Sequence, residues 1–175
     1  MLTKIYNHVV DPKIQLVASA LAARKHGLAT FQVAGNNMMP TLLLNEVAWF
    51  SPMQDSFTLQ REQVLAVSLE EFGNTIIPYR LIGLPGDQVQ LCKGELLINN
   101  ECIPQPYLNS ENAEEGYSRN TKCVHIPSNY VWLLGDFRDL SKDSRSIGPV
   151  PLQAIVGQVV KAHPLGEHAN PRSVI

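Results

Sequence analysis

The residues of this chain that could do chemistry lie in three polar segments that are far apart in the sequence. They are residues 35–50 (GNNMMPTLLLNEVAWF), 79–90 (YRLIGLPGDQVQ) and 135–151 (GDFRDLSKDSRSIGPVP). The last segment contains a hydroxyl, a carboxylate and a guanidinium at Ser141, Asp143 and Arg145. An Asp and an Arg at this spacing favour a bidentate ion pair, which fixes a loop whether or not chemistry happens beside it. Hydroxyl catalysis needs, in addition, a nucleophilic oxygen close to a group that can take its proton.

The order and spacing of these segments resemble the type I signal peptidases, membrane-anchored serine peptidases that remove signal peptides from exported proteins. Four further stretches resemble the same family: residues 61–67 (REQVLAV), 94–108 (GELLINNECIPQPYL), 125–136 (HIPSNYVWLLGD) and 150–160 (VPLQAIVGQVV). Together the matches extend over residues 31–164. The resemblance implies a hydrolase of signal peptide processing in protein secretion, with a coiled β-barrel fold.

The resemblance places the two reactive positions of the family at Asn37 and Tyr79. In the family, a Ser nucleophile directly precedes the Met that is Met38 here, and a Lys base directly precedes the Arg that is Arg80 here. An amide nitrogen is not a nucleophile, because its lone pair is delocalised into the carbonyl. A phenol has an ordinary pKa of about 10, and burial raises that pKa further. We therefore predict that neither position is catalytic.

The resemblance also implies which residues support the site. They are Met38, Pro40, Arg80, Asp136, Ser141, Asp143 and Arg145. The family counterpart of Ser141 forms a hydrogen bond with the catalytic Lys. Because this chain has Tyr79 in place of that Lys, we expect the Ser141 hydroxyl to bond the Tyr79 hydroxyl instead. We do not expect neighbouring residues to replace the dyad. The hydroxyls nearest in sequence belong to Thr30 and Thr41, and an amine is present at Lys93, but none of these residues matches a reactive position of the family. The resemblance implies no metal and no cofactor.

Two hypotheses about function follow. The first is a non-catalytic homologue, or pseudoenzyme, whose partner is an extended, signal-peptide-like segment or an active signal peptidase paralogue. Substrates of the family bind as extended strands through main-chain hydrogen bonds, and this mode does not need the dyad. The second is an active signal peptidase I-type serine endopeptidase that removes signal peptides from exported proteins, either with its dyad residues substituted by engineering or with a site that works with unfamiliar residues. Asn together with Tyr is less typical of engineering than a single change to Ala, which favours the first hypothesis.

The composition excludes several other classes of protein. With 175 residues, 45% apolar and 17% charged, the chain can bury the core of one domain. A formal charge of −2 and scattered Lys and Arg predict no binding of nucleic acid. The three cysteines, Cys92, Cys102 and Cys123, lack metal-ligand spacing, and we interpret them as free thiols. A disulfide between Cys92 and Cys102 is the alternative. Three histidines are expected on the surface or at strand ends: His125, His163 and His168.

The chain begins with a predicted helix. Asp11 and Pro12 are typical of a helix start, and residues 13–26 are rich in helix formers. One face of this helix is apolar, and its residues are Ile14, Val17, Ala18 and Leu21. We expect this face to dock on the domain; an interface with a partner and a role at a membrane surface are the alternatives.

Short strands are predicted after Gly27, at residues 47–50, 64–69, 75–82, 88–92, 95–98, 130–134 and 154–162. Twelve Pro and eleven Gly between such runs favour a mainly β fold. The expected organisation is a helical segment at 1–30, a signal-peptidase-like β domain at 31–164 with a small cap at 93–129, and a tail at 165–175.

No window of the sequence reaches the roughly 18 to 20 apolar residues that a membrane-spanning helix requires. Residues 1–11 do not have the pattern of a secretory signal. We therefore expect a cytoplasmic location, in contrast with the membrane anchor of the family that the chain resembles.

Overall fold

The structure, a computed structural model, describes residues 12–108, 119–165 and 171–174. Helix α1 (Pro12–Arg24) begins at Pro12, whose missing N–H suits the first helical position. It ends before Gly27, whose φ of 70° lies in the left-handed region that glycine adopts without strain. A second helix, α2 (Ser144–Ile147), forms one turn late in the chain.

Strands make up most of the remaining regular structure, so the described chain is mainly β, as predicted. The strands are β1 (Ala29–Gln32), β2 (Val47–Pro52), β3 (Val64–Ser68), β4 (Ile76–Gly83), β5 (Gln88–Cys92), β6 (Glu95–Ile98), β7 (Glu101–Ile103), β8 (Val124–His125), β9 (Tyr130–Leu134), β10 (Val150–Pro151), β11 (Ile155–His163) and β12 (Arg172–Ser173).

The strands form two sheets. The larger sheet has the order β1-β2-β11-β3-β4-β9-β10, with β12 also paired to β11, and it curls into a half-barrel. The smaller sheet has the order β7-β6-β5-β8 and begins at Gln88, before the cap predicted at 93–129. Cys92 and Cys102 lie on strands that β6 separates, and both are free thiols, as is Cys123.

Strand β4 connects the two halves of the candidate site. Its side chains alternate between opposite faces of the sheet. Tyr79 and Leu81 lie in a buried apolar cluster with Leu65 and Leu133. Arg80, between them, projects to the other face and is only 1% exposed.

Helix α1 docks on the sheet through Leu16 and three small residues, Ser19, Ala22 and Ala23, and not through the face predicted from the sequence. Its buried residues are Ser19 and Ala23, and Ala23 packs with Val47 and Trp49 of β2. The prediction that Ile14, Val17, Ala18 and Leu21 form the docking face is therefore wrong, because all four are exposed. Small side chains allow the helix to come close to the sheet.

The docked helix is held by a chain of buried hydrogen bonds. The indole Nε1 of Trp49 donates to Ser19 Oγ at 2.8 Å. The same oxygen lies 2.8 Å from Nε2 of His163, whose Nδ1 lies 2.9 Å from the carbonyl oxygen of Pro164. His163 is buried and ends strand β11, and His125 is exposed and ends strand β8, so both agree with the prediction of surface or strand-end positions; His168 lies outside the described residues. None of the described helices is long and apolar enough to cross a membrane.

Strands β11 and β2 approach each other closely at Gly157. The register of β11 against β3 shifts beside this glycine, as is typical of a bulge. A Cβ at this position would lie 2.5 Å from Cδ2 of Phe50 and 3.0 Å from the carbonyl carbon of Ser51, and closer still to the Ser51 oxygen.

We predict that Gly157→Ala destabilises the fold by about 1 to 3 kcal/mol, because backbone atoms of the neighbouring strand must shift to admit a methyl group. Urea unfolding followed by circular dichroism measures the change. Gly35→Ala is the matched control, because a Cβ there would meet only Asn37 Oδ1 at an ordinary 3.5 Å. Equal stability of the two variants would contradict the argument.

Candidate functional site

The two positions that the sequence singles out face the same cleft. The cleft has a volume of about 320 Å³, and both Asn37 and Tyr79 line it. Its other walls come from the loop after β1, from the turn before β4, from the start of β4 and from one lysine. These residues are Ala34, Gly35, Phe72, Thr75, Ile76, Ile77, Pro78 and Lys142.

The side chain of Asn37 is bonded to the backbone of β4. Its Nδ2 donates to the carbonyl oxygen of Pro78 at 2.7 Å. The backbone carbonyl oxygen of Asn37 accepts from the backbone N–H of Phe137 at 2.9 Å. The loop that contains Asn37 is thereby tied both to β4 and to the turn after β9. Met38, the next residue, is fully buried in the core, whereas Pro40 is exposed after a cis peptide bond.

The hydroxyl of Tyr79 is also bonded to the backbone. It donates to the carbonyl oxygen of Lys142 at 2.8 Å. Burial raises the pKa of this phenol, and the carboxylates of Asp143 and Glu71 raise it further. A phenol that keeps its proton at neutral pH cannot act as a general base.

Ser141 lines a different cleft, together with Ser144 and Arg145, and its hydroxyl is unused. The residue is buried, and its Oγ has no hydrogen-bond partner. The predicted bond between Ser141 and Tyr79 is therefore wrong, because the Tyr79 hydroxyl reaches the Lys142 carbonyl instead. A Cβ at Gly135 would lie 2.5 Å from both Asn37 O and Ser141 Cβ, and nearer to Ser141 Oγ. Glycine at 135 thus allows the segments that contain Asn37 and Ser141 to meet.

A buried ion pair lies behind the cleft, on the opposite face of β4. Arg80 Nε donates to Asp136 Oδ1 at 2.7 Å and its Nη2 to Asp136 Oδ2 at 2.6 Å; the two side chains are 1% and 0% exposed. The Thr41 hydroxyl donates to Asp136 and accepts from Arg80 Nη2 at 3.1 Å. Arg80 Nη1 donates to the carbonyl oxygen of Glu62 at 2.7 Å. Three chain segments therefore meet at one guanidinium.

A second ion pair holds the loop around Ser141. Arg145 Nε and Nη2 donate to the two oxygens of Asp143 at 2.8 and 2.9 Å, in the bidentate geometry expected from the sequence. Asp143 Oδ2 also accepts from the backbone N–H of Gly135 at 3.0 Å, and Asp143 caps helix α2. The pair therefore fixes both the Ser141 loop and the Gly135 turn.

Sequence reasoning missed Arg138, which connects the Gly135 turn to the segment that follows β7. Its Nε donates to Gly135 O at 2.9 Å and its Nη2 to Gln105 Oε1 at 2.5 Å. Burial lowers the pKa of this guanidinium. Nearby in the sequence to Gln105, Tyr107 places its ring centroid 4.0 Å from the guanidinium carbon of Arg80. The signal available in the sequence was the density of Arg and Asp in residues 135–145.

The neighbours considered as replacements for the dyad lie elsewhere. Thr41 bonds within the Arg80–Asp136 cluster, Thr30 lies on β1, and Lys93 lies between β5 and β6. Lys142, which the sequence did not single out, does line the cleft. Its Nζ lies 2.6 Å from Oε1 of Glu71 and 4.9 Å from the ring centroid of Phe72.

Comparison with known proteins gives the family. The family model described as signal peptidase, peptidase S26 matches residues 7–163. Signal peptidase I of Bacillus licheniformis is 31% identical over 149 residues, which are 81% of this chain and 79% of that protein. Signal peptidase I U of Bacillus subtilis is 29% identical over 171 residues, which are 94% and 91% of the two chains.

The fold gives the same answer. A crystal structure of a signal peptidase I from Enterococcus faecalis matches with a TM-score of 0.52 and 27% sequence identity, and the match covers 58% of this chain and 97% of that one. The sequence motifs, the half-barrel and the family match agree. The chain belongs to the signal peptidase S26 family and is a homologue of signal peptidase I.

Proposed function

We propose that this chain is a non-catalytic signal peptidase homologue that binds extended peptides in the cleft between Asn37 and Tyr79. The observation that carries the proposal is the state of these two side chains. Each donates its hydrogen bond to a backbone carbonyl, Asn37 to Pro78 and Tyr79 to Lys142. Neither provides a nucleophile or a base, whereas the ion pairs around the cleft are complete.

The wall of the cleft supports peptide binding. Residues 76–79 of β4 pair with β3 on one side, but pairing with β9 on the other side begins only at Arg80. No described strand pairs with the second edge of residues 76–79, and this stretch lines the cleft. An extended peptide can add to such an edge through main-chain hydrogen bonds, to which Pro78 contributes none, because it has no N–H and its carbonyl oxygen already accepts from Asn37 Nδ2. Binding in this way makes no use of a dyad.

The lining of the cleft sets the ligand chemistry. Ile76, Ile77 and Phe72 present apolar walls, and Gly35 contributes no side chain on the facing loop. These features favour an extended segment with apolar side chains, as in a signal-peptide-like sequence. Such a segment of an active signal peptidase paralogue or of its substrates would meet the same requirements.

We expect a fluorescently labelled, extended apolar peptide to bind saturably in a polarisation titration. Gly35→Trp should weaken this binding by at least tenfold, which is on the order of 1.4 kcal/mol of binding free energy. The reason is that the indole fills space that the peptide would occupy. Gly35→Ala is the matched control and should bind like the parent chain. Equal affinity of the Trp and Ala variants would place the peptide elsewhere.

Serine acylating agents should leave the protein unmodified, because the position of the nucleophile holds Asn37. Intact-mass spectrometry after prolonged incubation makes this measurement, with an active serine peptidase as the positive control. A covalent adduct on any Ser or Thr that lines the cleft would contradict the proposal and would support the alternative of an active enzyme.

Tyr79→Phe tests the protonation state of the phenol. At pH 7 the variant should be less stable by about 1 kcal/mol, because the bond to Lys142 O is lost. Since the pKa of Tyr79 is raised in the fold, the unfolded chain loses this proton first, above about pH 10. The contribution of Tyr79 to stability is therefore present below that pH and declines above it. Urea unfolding from neutral to alkaline pH should show the stability gap between parent and variant shrinking; a constant gap would contradict a buried, neutral phenol.

A further inference from the structure

A second cleft lies beside the loop that contains Ser141. Ser141 and Lys142 are consecutive, but Lys142 lines the cleft between Asn37 and Tyr79, whereas Ser141 lines the second cleft. The second cleft has a volume of about 440 Å³ and shares no lining residue with the first in the described ranges. We call it the donor cleft, after six of its lining residues: Thr121, Lys122, Trp132, Ser141, Ser144 and Arg145.

The walls of the donor cleft offer hydrogen-bond donors and positive charge. Its charged residues are Lys122 and Arg145, and no Asp or Glu of the described chain lines it. The hydroxyls of Thr121 and Ser144 each accept one backbone N–H at 2.9 Å, so each keeps its hydrogen for a further acceptor. A ligand that complements these walls must therefore bring acceptor atoms.

Two of these donors are buried and have no partner among the described residues. They are the hydroxyl of Ser141 and Nη1 of Arg145. Ser141 is 5% exposed and the Arg145 side chain is 7% exposed. Asp143 holds Nε and Nη2 of the same guanidinium, and the planar group therefore points Nη1 away from that carboxylate. Buried polar groups nearly always have partners, so the two donors indicate an acceptor that the described chain does not supply.

The charge behind the donor cleft favours an anion. Arg80 is paired with Asp136, and Arg145 is paired with Asp143. Arg138 is also buried, but its side chain donates to two neutral acceptors. Three guanidinium groups are thus set against two carboxylates. These five side chains carry an excess of one positive charge, which an anionic ligand would balance.

We propose that the donor cleft binds an organic carboxylate. The two carboxylate oxygens accept from the Ser141 hydroxyl and from Arg145 Nη1, and Lys122 adds a further positive charge. Trp132 and Pro149 provide an apolar wall for the body of the ligand. Inorganic phosphate is a poorer occupant, because it has no apolar part to place against this wall.

The experiment is isothermal titration of the full chain with 3-phenylpropionate. We expect saturable binding of this acid and no binding of 3-phenylpropanamide, which has the same apolar body without the charge. Ser141→Ala should weaken the binding about tenfold, because a hydrogen bond from a hydroxyl to a carboxylate is lost. Ser68→Ala is the matched control and should bind like the parent chain, because Ser68 lines neither cleft and its hydroxyl donates to the Asn74 carbonyl oxygen.

Two further readouts separate a ligand contact from a structural role. Ser141→Ala should unfold at the same urea concentration as the parent chain or at a higher one, because the hydroxyl that it removes has no partner in the described part of the fold. Lys122→Gln should weaken binding about threefold, since Lys122 is exposed and a surface charge contributes little.

The carboxylate could belong to a free organic acid or to the carboxyl terminus of a peptide. N-acetylphenylalanine distinguishes these sources, because it presents the same phenyl group and carboxylate with a peptide bond attached. Tighter binding of N-acetylphenylalanine than of 3-phenylpropionate assigns the donor cleft to a peptide terminus, and weaker binding assigns it to a free acid. Either result supports the proposal.

Three results would overturn the proposal. They are the absence of binding, equal affinity of Ser141→Ala and the parent chain, and displacement of 3-phenylpropionate by an equal concentration of inorganic phosphate. A loss of stability in Ser141→Ala without any binding would assign the hydroxyl to a buried water. None of these measurements uses an extended peptide in the cleft between Asn37 and Tyr79, so the two proposals can fail separately.

Discussion

The buried ion pair between Arg80 and Asp136 determines where the parts of the candidate site lie. It joins β4 to the turn after β9, and the Thr41 hydroxyl and the Glu62 carbonyl add two further segments. Removal of one partner from such a pair typically costs about 3 to 5 kcal/mol, because a charge is left buried without compensation. The pair lies on the face of β4 opposite Tyr79, so it holds the cleft in shape without taking part in any reaction there.

If, as proposed, the chain lacks the two reactive side chains of the family, this separation explains how the scaffold persists without them. The Asn37 amide and the Tyr79 hydroxyl each bond to a backbone carbonyl, and neither leaves its donor unsatisfied. Ser141 is different, because its buried Oγ has no partner. A buried polar group without a hydrogen bond costs about 1 to 3 kcal/mol. By the family resemblance, the counterpart of this hydroxyl bonds a lysine, and this chain has Tyr79 at the position of that lysine.

The sequence predicts the parts of the fold that depend on local pattern. Strand Gln88–Cys92 coincides with its prediction because its apolar residues alternate between turn signals. Strand Val124–His125 was missed, because two residues carry no periodicity and their pairing depends on β5. The docking face of α1 was predicted wrongly because Ser19 gains its buried partners from distant strands. The Arg80–Asp136 pair was also missed, since its members lie 56 residues apart and only the folded sheet brings them together.

We propose that this cleft differs from a catalytic one in two side chains, Asn37 and Tyr79. The most direct test is the double variant Asn37→Ser with Tyr79→Lys, assayed by mass spectrometry for cleavage of a signal-peptide substrate. By the family resemblance, a lysine at 79 would bond the Ser141 hydroxyl. The gap left around its thinner stem should lower the stability of the fold by about 1 to 3 kcal/mol, so that cleavage recovers only in part. We expect slow cleavage by the double variant and none by the parent chain or either single variant. Cleavage by the parent chain, or a folded double variant that binds the peptide and leaves it intact, would contradict the account.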